Sequence, residues 1–203
     1  MTDERARSGG GRRPGSTQTR EAILLAATEA FTQKGFSATT IRGVARAAEV
    51  DPALVIHFFG TKDGLFEAAI RGHGMPLRQI SEVVGGDPDR LGERLARRYL
   101  SLWEDPATGA WLHAILHAVS ASETASAMLK EFMTEEVLRP IAKDLGMDNA
   151  ETRAILAGSH LIGIGLTRYV LRVEAIASLP ADTVVAAVGP TLQHYFTGDL
   201  QLG

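Results

Sequence analysis

The sequence lacks cysteine entirely, and this absence removes several classes of site at once. Without thiols, the 203-residue chain has no disulfide framework, no zinc-thiolate site and no cysteine nucleophile. It also lacks an apolar run long enough to span a bilayer, and its first residues, MTDERARSGGGRRPGST, contain no signal-peptide core. We therefore expect a cytoplasmic protein without a membrane partner.

The chain has little excess of charge of either sign. Its 21 basic and 24 acidic side chains give a formal net charge of −3, which argues against a surface that is basic throughout for gripping nucleic acid. Residues 1–60 carry eight basic and six acidic side chains, whereas the remainder carries thirteen and eighteen. This modest asymmetry fits either a slightly basic N-terminal part or ordinary scatter.

Residues 1–17 are rich in Gly, Arg and Ser and show no hydrophobic periodicity. This composition predicts a flexible N-terminal arm. Arg12 and Arg13 within it are either contacts to phosphate or parts of a solvated tail.

From residue 19 onward the chain contains residues that typically begin or end helices. Apolar side chains at three- and four-residue spacing lie between them, which predicts four helices. Their boundaries are set by Thr19 as first N-cap, Gly35 as first terminator, and then Thr40, Asp51 with Pro52, Gly60 and Thr61.

The second and third of these helices are short and follow a longer one, as in a helix-turn-helix unit that places one helix in a DNA major groove. The segment TREAILLAATEAFTQKGFSATTIRGVARAAEVDPALVIHFFGTKDGLFEAAI, residues 19–70, resembles the DNA-binding domain of the TetR (tetracycline repressor) family of bacterial transcriptional regulators. The matching features are the first-helix pattern from Phe31 to Gly35-Phe36, Thr40 with Arg42, Val44-Ala45, and Phe59-Gly60-Thr61-Lys62.

This resemblance implies an all-α fold in two domains. A three-helix helix-turn-helix domain is expected at residues 18–72, and a larger helical domain that binds an effector and dimerises is expected at residues 73–203. The implied function is a repressor that leaves a pseudo-palindromic operator in double-stranded DNA when an unidentified small molecule binds. We expect no enzyme activity, cofactor or metal.

Nine residues are assigned to the DNA-binding surface by the resemblance. Thr40, Lys62 and the helix termini are expected to contact phosphates, and Arg42 to reach phosphate or a base edge. The groove-facing side chains of the third helix are mostly apolar, so direct readout would depend on thymine methyl groups. The nine residues are Thr40, Arg42, Asp51, Pro52, Ala53, Leu54, His57, Thr61 and Lys62.

The chain departs from the family pattern at two positions. Glu49 stands where members usually carry Gly, which predicts a non-glycine residue at positive φ at a cost of roughly 1 to 2 kcal/mol. Ile56 replaces a tyrosine that often contacts phosphate. His57 is the nearest residue able to supply that contact.

The C-terminal part is predicted to contain helices near residues 90–103, 106–120, 123–145, 149–172 and 181–196. By resemblance, helices 149–172 and 181–196 should pair with their copies in a second subunit as a four-helix bundle. Gly158, Gly163 and Gly165 permit close helix approach, either between subunits or within one.

A pocket between these helices is predicted from aromatic, flexible and histidine side chains. Eight residues are assigned to it: Trp103, Trp111, His113, His117, Met128, Phe132, His160 and Tyr169. Residues 113 and 117 share one helix face, which would suit a zinc pair, but no third ligand or catalytic glutamate accompanies them.

Two alternative functions stay open at the level of sequence. The first is an enzyme that uses His113, His117 or His160 as a base, although no nucleophile, phosphate loop or cofactor motif accompanies them. The second is a helical interaction protein that has lost DNA binding, which Glu49 and Ile56 would favour.

Overall fold

The computed structural model describes residues 14–73, 83, 86–146 and 148–201, and every regular element among them is helical. The N-terminal part contains α1 (Pro14–Ala38), α2 (Ile41–Ala47), α3 (Pro52–Phe59) and α4 (Lys62–His73). The C-terminal part contains α5 (Leu91–Glu104), α6 (Pro106–Ala121), α7 (Glu123–Phe132), α8 (Arg139–Leu145), α9 (Ala150–Gly165), α10 (Glu174–Ala177) and α11 (Ala181–Thr197). A 3₁₀ turn, Pro88–Arg90, precedes α5.

Helix α1 begins at Pro14, so the predicted N-cap at Thr19 is wrong. The hydroxyl of Thr19 donates to the carbonyl of Gly15 at 2.7 Å, as a side chain inside a helix does. Proline suits the first turn of a helix because its missing N–H has no partner there. Residues 14–17, predicted to belong to the flexible arm, are therefore helical, and the rest of that arm lies outside the described residues.

The predicted capping residues of the next three helices are confirmed. The Thr40 hydroxyl accepts from Gly43 N at 3.1 Å, the Asp51 carboxylate from Ala53 N at 2.7 Å, and the Thr61 hydroxyl from Gly64 N at 3.1 Å. Each bond satisfies an amide that has no acceptor within its own helix.

Glu49 adopts the predicted positive φ, at 55°. The amide of Glu49 donates to Arg46 O at 3.3 Å, and the amide of Val50 donates to Ala45 O at 2.9 Å. This hydrogen-bond pair is the Schellman ending of a helix, whose left-handed position usually holds glycine. The tight turn between α2 and α3 is thus formed in spite of the Cβ of Glu49.

A compact apolar core holds α1 to α4 together. Phe31 of α1 and Phe66 of α4 are fully buried, with ring centroids 5.0 Å apart and edge-to-face geometry. Val44 of α2 and Val55 of α3 complete this core from the two short helices. Because only Val55 of α3 is fully buried, most of that helix lies at the surface.

The C-terminal boundaries agree with the predicted helices to within about two residues at most ends. The predicted helix 123–145 is interrupted by a π-helical turn, Met133–Leu138, between α7 and α8. Pro140 explains the wider turn, because it has no N–H and its ring crowds the preceding carbonyls. A second π-helical turn, Leu166–Val170, ends the predicted helix 149–172.

Helices α5 and α11 cross with their backbones in close contact. A Cβ on Gly92 would collide with Gly189 O and Gln193 N, so glycine is required at that crossing. The amide of Gly92 also donates to Gln193 Oε1 at 2.9 Å. The buried Arg153 of α9 donates to the carbonyls of Tyr195 and Gly198, both at 2.9 Å, which places a cation at the C-terminus of α11.

No helix in the part of the chain that the structure describes has both the length and the apolar character of a membrane span.

Candidate DNA-binding surface and effector cavity

Helix α3 presents an exposed face of the size that a major groove accepts. Ala53, Leu54 and His57, three of the predicted contacts, all lie on that exposed face. Val55 holds the opposite face on the core, while Phe58 and Phe59 are half-buried beside it. Helix α3 is therefore packed on the core along one face and exposed to solvent along the other.

The side chain of Ile56 is 54% exposed. His57 beside it is also exposed, and its ring contacts Phe58 edge-on at 5.3 Å. Both side chains therefore reach solvent at the position where the family resemblance places a phosphate-binding tyrosine.

The three helix caps differ in what they offer a phosphate. The hydroxyls of Thr40 and Thr61 accept from backbone amides and retain their own hydrogen for donation. The carboxylate of Asp51 caps α3 but has no hydrogen to donate, and its charge repels phosphate. Asp51 and Pro52 thus set the start of α3, whereas Thr40 and Thr61 can contact DNA directly.

Two arginines on α2 are available for DNA. Arg42 and Arg46 are exposed and form no hydrogen bond or ion pair with any residue that the structure describes. By contrast, Lys62 is held in place: its Nζ donates to Ser37 O at 3.1 Å and lies 4.4 Å from the Phe36 ring centroid. Two hydrogens of the Lys62 ammonium remain for a phosphate.

An apolar cavity of about 100 Å³ lies among the helices of the C-terminal part. Its walls come from α5 to α9, from the π-helical turn Met133–Leu138 and from α11. Small residues of α9, Ala154, Ala157 and Gly158, leave the space open, and aliphatic side chains such as Leu95 surround it.

None of the eight residues predicted for the pocket lines this cavity. Trp103 stacks on Tyr169 with ring centroids 5.2 Å apart and meets His113 edge-on at 5.3 Å. Trp111 is buried against Phe66. His113 and His117 border a separate surface depression beside the end of α1. The remaining three, Met128, Phe132 and His160, are half-buried, buried and half-buried respectively.

Two titratable groups in this region have shifted pKa values. Burial raises the pKa of Tyr99 to about 12, so its phenol is neutral at the pH of a cell. Partial burial lowers the pKa of His113, and the nearby charges of His117 and Arg172 lower it further. Among the described residues, no group of three His, Asp or Glu side chains converges as metal ligands.

Comparison with known proteins assigns the chain to a family. The family described as bacterial regulatory proteins, tetR family, matches residues 23–69, and the tetracyclin repressor-like C-terminal domain matches residues 89–196. The chain belongs to the TetR family. The chain is 36% identical in sequence to a TetR-family regulator from Streptomyces coelicolor whose crystal structure is known. The two structures match with a TM-score of 0.64 over 93% of this chain and 99% of that chain.

Curated relatives of this TetR-family chain include an HTH-type transcriptional repressor of Mycobacterium tuberculosis, 36% identical over 92 residues. That match covers 42% of this chain, which spans about half (49%) of the relative's length. The HTH-type transcriptional regulator BetI of Escherichia coli is 27% identical over 178 residues, 74% of this chain and 90% of BetI. The family consists of DNA-binding regulators and not of enzymes, as the resemblance implied.

The cavity of this TetR-family member differs from the pocket predicted from the sequence, because that prediction was based on aromatic and histidine side chains. The described lining is mostly aliphatic, with Tyr99 and Phe196 as its aromatic members, and its signal in the sequence is the set of small residues Ala154, Ala157 and Gly158 on one face of α9. Alanine and glycine carry no distinctive functional group, so the sequence alone does not show which residues of α6 and α7 they face.

Proposed function

We propose that this protein is a sequence-specific repressor which leaves a pseudo-palindromic operator when a small molecule binds its C-terminal part. The observation that carries the proposal is the exposed face of α3, which is capped by Asp51, supported by Val55 and flanked by the unpaired Arg42 and Arg46. Such a helix can lie in a major groove while α2 and the caps contact phosphate. A regulator of this kind acts in the cytoplasm.

The boundary between the two domains is proposed to lie near residue 73. Helix α4 ends at His73, and the two matched family segments, residues 23–69 and 89–196, lie on either side. The N-terminal domain would then comprise residues 18–72 together with the start of α1, and the effector domain residues 73–203.

A homodimer through α9 and α11 is proposed because α9 and the π-helical turn that follows it carry an uncovered apolar stripe. Ile155 is 48% exposed, Ile162 is 47% exposed and Leu166 is 38% exposed, and their seven- and four-residue spacing places them on one face. Ala186, Ala187 and Pro190 are exposed on the neighbouring α11. Burial of these faces in a second copy would present two α3 helices to successive major grooves, roughly 34 to 36 Å apart.

The π-helical turn Met133–Leu138 is proposed to transmit effector binding to the DNA-binding domain. Met133, Val137 and Leu138 line the cavity, while Glu136 lies 3.7 Å from Arg71 of α4. Arg71 also lies 3.3 Å from Glu131 of α7. Ligand pockets usually measure roughly 300 to 1,000 Å³, so a drug-sized effector must enlarge a cavity of about 100 Å³.

Enlarging the cavity would displace this turn and, through Arg71, reposition α4 and the attached α3. The effector acts on DNA binding only to the extent that it prefers the enlarged conformation, because a ligand with equal affinity for both conformations shifts neither. Release of the operator and weaker effector binding to the DNA complex are then two measures of one coupling free energy.

Selection of bound duplexes from a random library by the purified full-length protein at moderate salt tests the proposed function. Enrichment of a pseudo-palindrome is the expected result. If a folded dimer enriches no sequence, the repressor proposal is wrong and a helical interaction protein becomes the better account.

A further inference from the structure

The described walls of the cavity in the C-terminal part contain one polar group. Among the described residues that line it, Tyr99 alone has a side chain with a nitrogen or oxygen atom, and none is charged. An ion placed there would lose its hydration without gaining a counter-charge, which costs many kcal/mol. The lining therefore selects against charged molecules.

Tyr99 is able to donate one hydrogen bond into this space. Its side chain is 7% exposed, and its hydroxyl donates to no acceptor among the residues that the structure describes. Burial raises the pKa of this phenol to about 12, further above neutral pH than the ordinary value, at which the hydroxyl also keeps its proton. Tyr99 lines the cavity, so a ligand oxygen there would supply the acceptor that the described residues do not provide.

The indole of Trp103 provides a second unpaired donor beside Tyr99. The indole Nε1 of Trp103 is buried and has no hydrogen-bond partner among the described residues. A Cβ on Gly165 would collide with Tyr99 Oη and lie 2.9 Å from Trp103 Nε1, so these two polar atoms flank the same point. The indole N–H can donate to the tyrosine oxygen only if the tyrosine proton points away from the indole. Tyr99 borders the cavity, so the cavity is the space into which that proton can point.

We propose that the effector is an uncharged, largely apolar molecule with one acceptor oxygen, which accepts a hydrogen bond from Tyr99 while Trp103 donates to the tyrosine oxygen. This inference rests on the proposed function, since it names the chemical class of the effector of that same regulator. The other described residues of the cavity wall contribute apolar contact.

The size of the cavity limits the first molecules to test. A dry engineered cavity of about 150 Å³ holds benzene, so a space of about 100 Å³ suits a single ring once its walls relax slightly. Met133 and Leu138 belong to a π-helical turn, a rare geometry that is frequent at functional sites. Larger effectors of the same class would require this turn to move.

Calorimetric titration of the full-length protein with four related compounds tests the proposal. Toluene, benzyl alcohol, benzoate and benzylammonium share one ring and differ in polarity and charge. We expect toluene and benzyl alcohol to bind, and both ions to bind at least about 100-fold more weakly. In Tyr99→Phe, the affinity for benzyl alcohol should fall by about five- to tenfold while that for toluene changes less than about twofold.

Two further variants control this experiment. Tyr195→Phe removes a hydroxyl that does not border the cavity and should leave all four affinities unchanged. Ala157→Leu adds three carbon atoms to the wall and should abolish binding of toluene and benzyl alcohol alike. Circular dichroism of each variant shows whether it is folded, and toluene binding by Tyr99→Phe shows that its cavity is intact.

The proposal is overturned if benzoate or benzylammonium binds as tightly as benzyl alcohol, if Tyr99→Phe leaves the affinity for benzyl alcohol unchanged, or if none of the compounds binds. Each of these results leaves DNA recognition untouched, because duplex selection is measured without any added compound. Conversely, a protein that binds benzyl alcohol as expected but selects no duplex would retain the cavity chemistry and lose the proposed function.

Discussion

The ring of Phe66 in α4 meets the indole of Trp111 in α6 edge-on, with the ring centroids 6.1 Å apart. Phe66 also contacts Phe31 and Phe36, with centroids 5.0 Å from each, so one buried ring joins the core of the DNA-binding part to the effector-binding part. In the proposed mechanism, this shared core would pass a displacement of α6 on to α4, because closely packed side chains cannot move independently. The ion pairs of Arg71 with Glu131 and Glu136 add a second connection from the same helix.

Asp51 is expected to act on DNA binding through charge and on folding through its cap. Asn caps helices as well as Asp does, so Asp51→Asn should retain stability to within about 0.5 kcal/mol while removing a negative charge beside the phosphates. We predict tighter DNA binding by Asp51→Asn at low salt. Asp51→Ala should instead lower the free energy of unfolding by about 1 kcal/mol. Urea denaturation and fluorescence anisotropy on a selected duplex measure the two effects; equal stability of both variants would contradict the cap.

Lys62 is predicted to contact one phosphate. Lys62→Ala should weaken binding to all duplexes about equally and reduce the slope of log affinity against log salt by about 1, because one fewer counterion is released. Anisotropy titrations at several salt concentrations give the slope. Lys130→Ala, which removes an exposed lysine from α7, is the matched control and should leave the slope unchanged.

The hydrogen bond from Lys62 to Ser37 O allows a different result. If Lys62→Ala lowered stability but kept the salt slope of the native protein, the lysine would serve only to join α4 to the end of α1. The phosphate contact would then be wrong.

Glu49 is predicted to carry backbone strain that glycine would relieve. Glu49→Gly should raise the free energy of unfolding by about 1 kcal/mol, because glycine adopts φ of 55° without a Cβ clash. Glu49→Ala removes the same charge but keeps the Cβ, so it should bring no such gain. Chemical denaturation of the two variants decides the point, and equal stabilisation of both would show that charge, not strain, is responsible.

Gly165 is predicted to be required for packing in α9. A Cβ there would collide with Tyr99 Oη, so Gly165→Ala should lower the free energy of unfolding by roughly 1 to 3 kcal/mol despite its higher helix propensity. Gly158→Ala is the control within the same helix, because its Cβ would meet only Leu138 at an ordinary 3.7 Å. Thermal unfolding should show a lower Tm for Gly165→Ala alone; similar Tm values for both would contradict the assigned contact.

The caps of α2, α3 and α4 were predictable because each depends on residues adjacent in sequence. Thr40, Asp51 and Thr61 bond to amides two or three positions away, so local chemistry suffices. The start of α1 was missed because the Gly, Ser and Thr residues after Pro14 have low helix propensity. They extend a helix already formed by the apolar stripe that begins at Ile23.

The cavity and the π-helical turns were not predictable in the same way. Whether Ala157 faces a void or a neighbouring side chain depends on how α9 meets α6 and α7, which residue spacing does not specify. Likewise, Pro140 indicates a disturbance within the helix 123–145 but does not decide between a kink, a break and the wider turn that is present.

The exposed face of α3 is proposed to recognise operator DNA, and Ala53→Glu places a charge on that face. Ala53 is exposed at the start of α3, so the substitution leaves the core intact and places a carboxylate against the bases and phosphates. Anisotropy on a selected duplex should show wild-type binding at nanomolar concentration and a loss of at least about 100-fold in the variant, with unchanged circular dichroism. Equal affinity of wild type and Ala53→Glu for this duplex would contradict DNA recognition by α3.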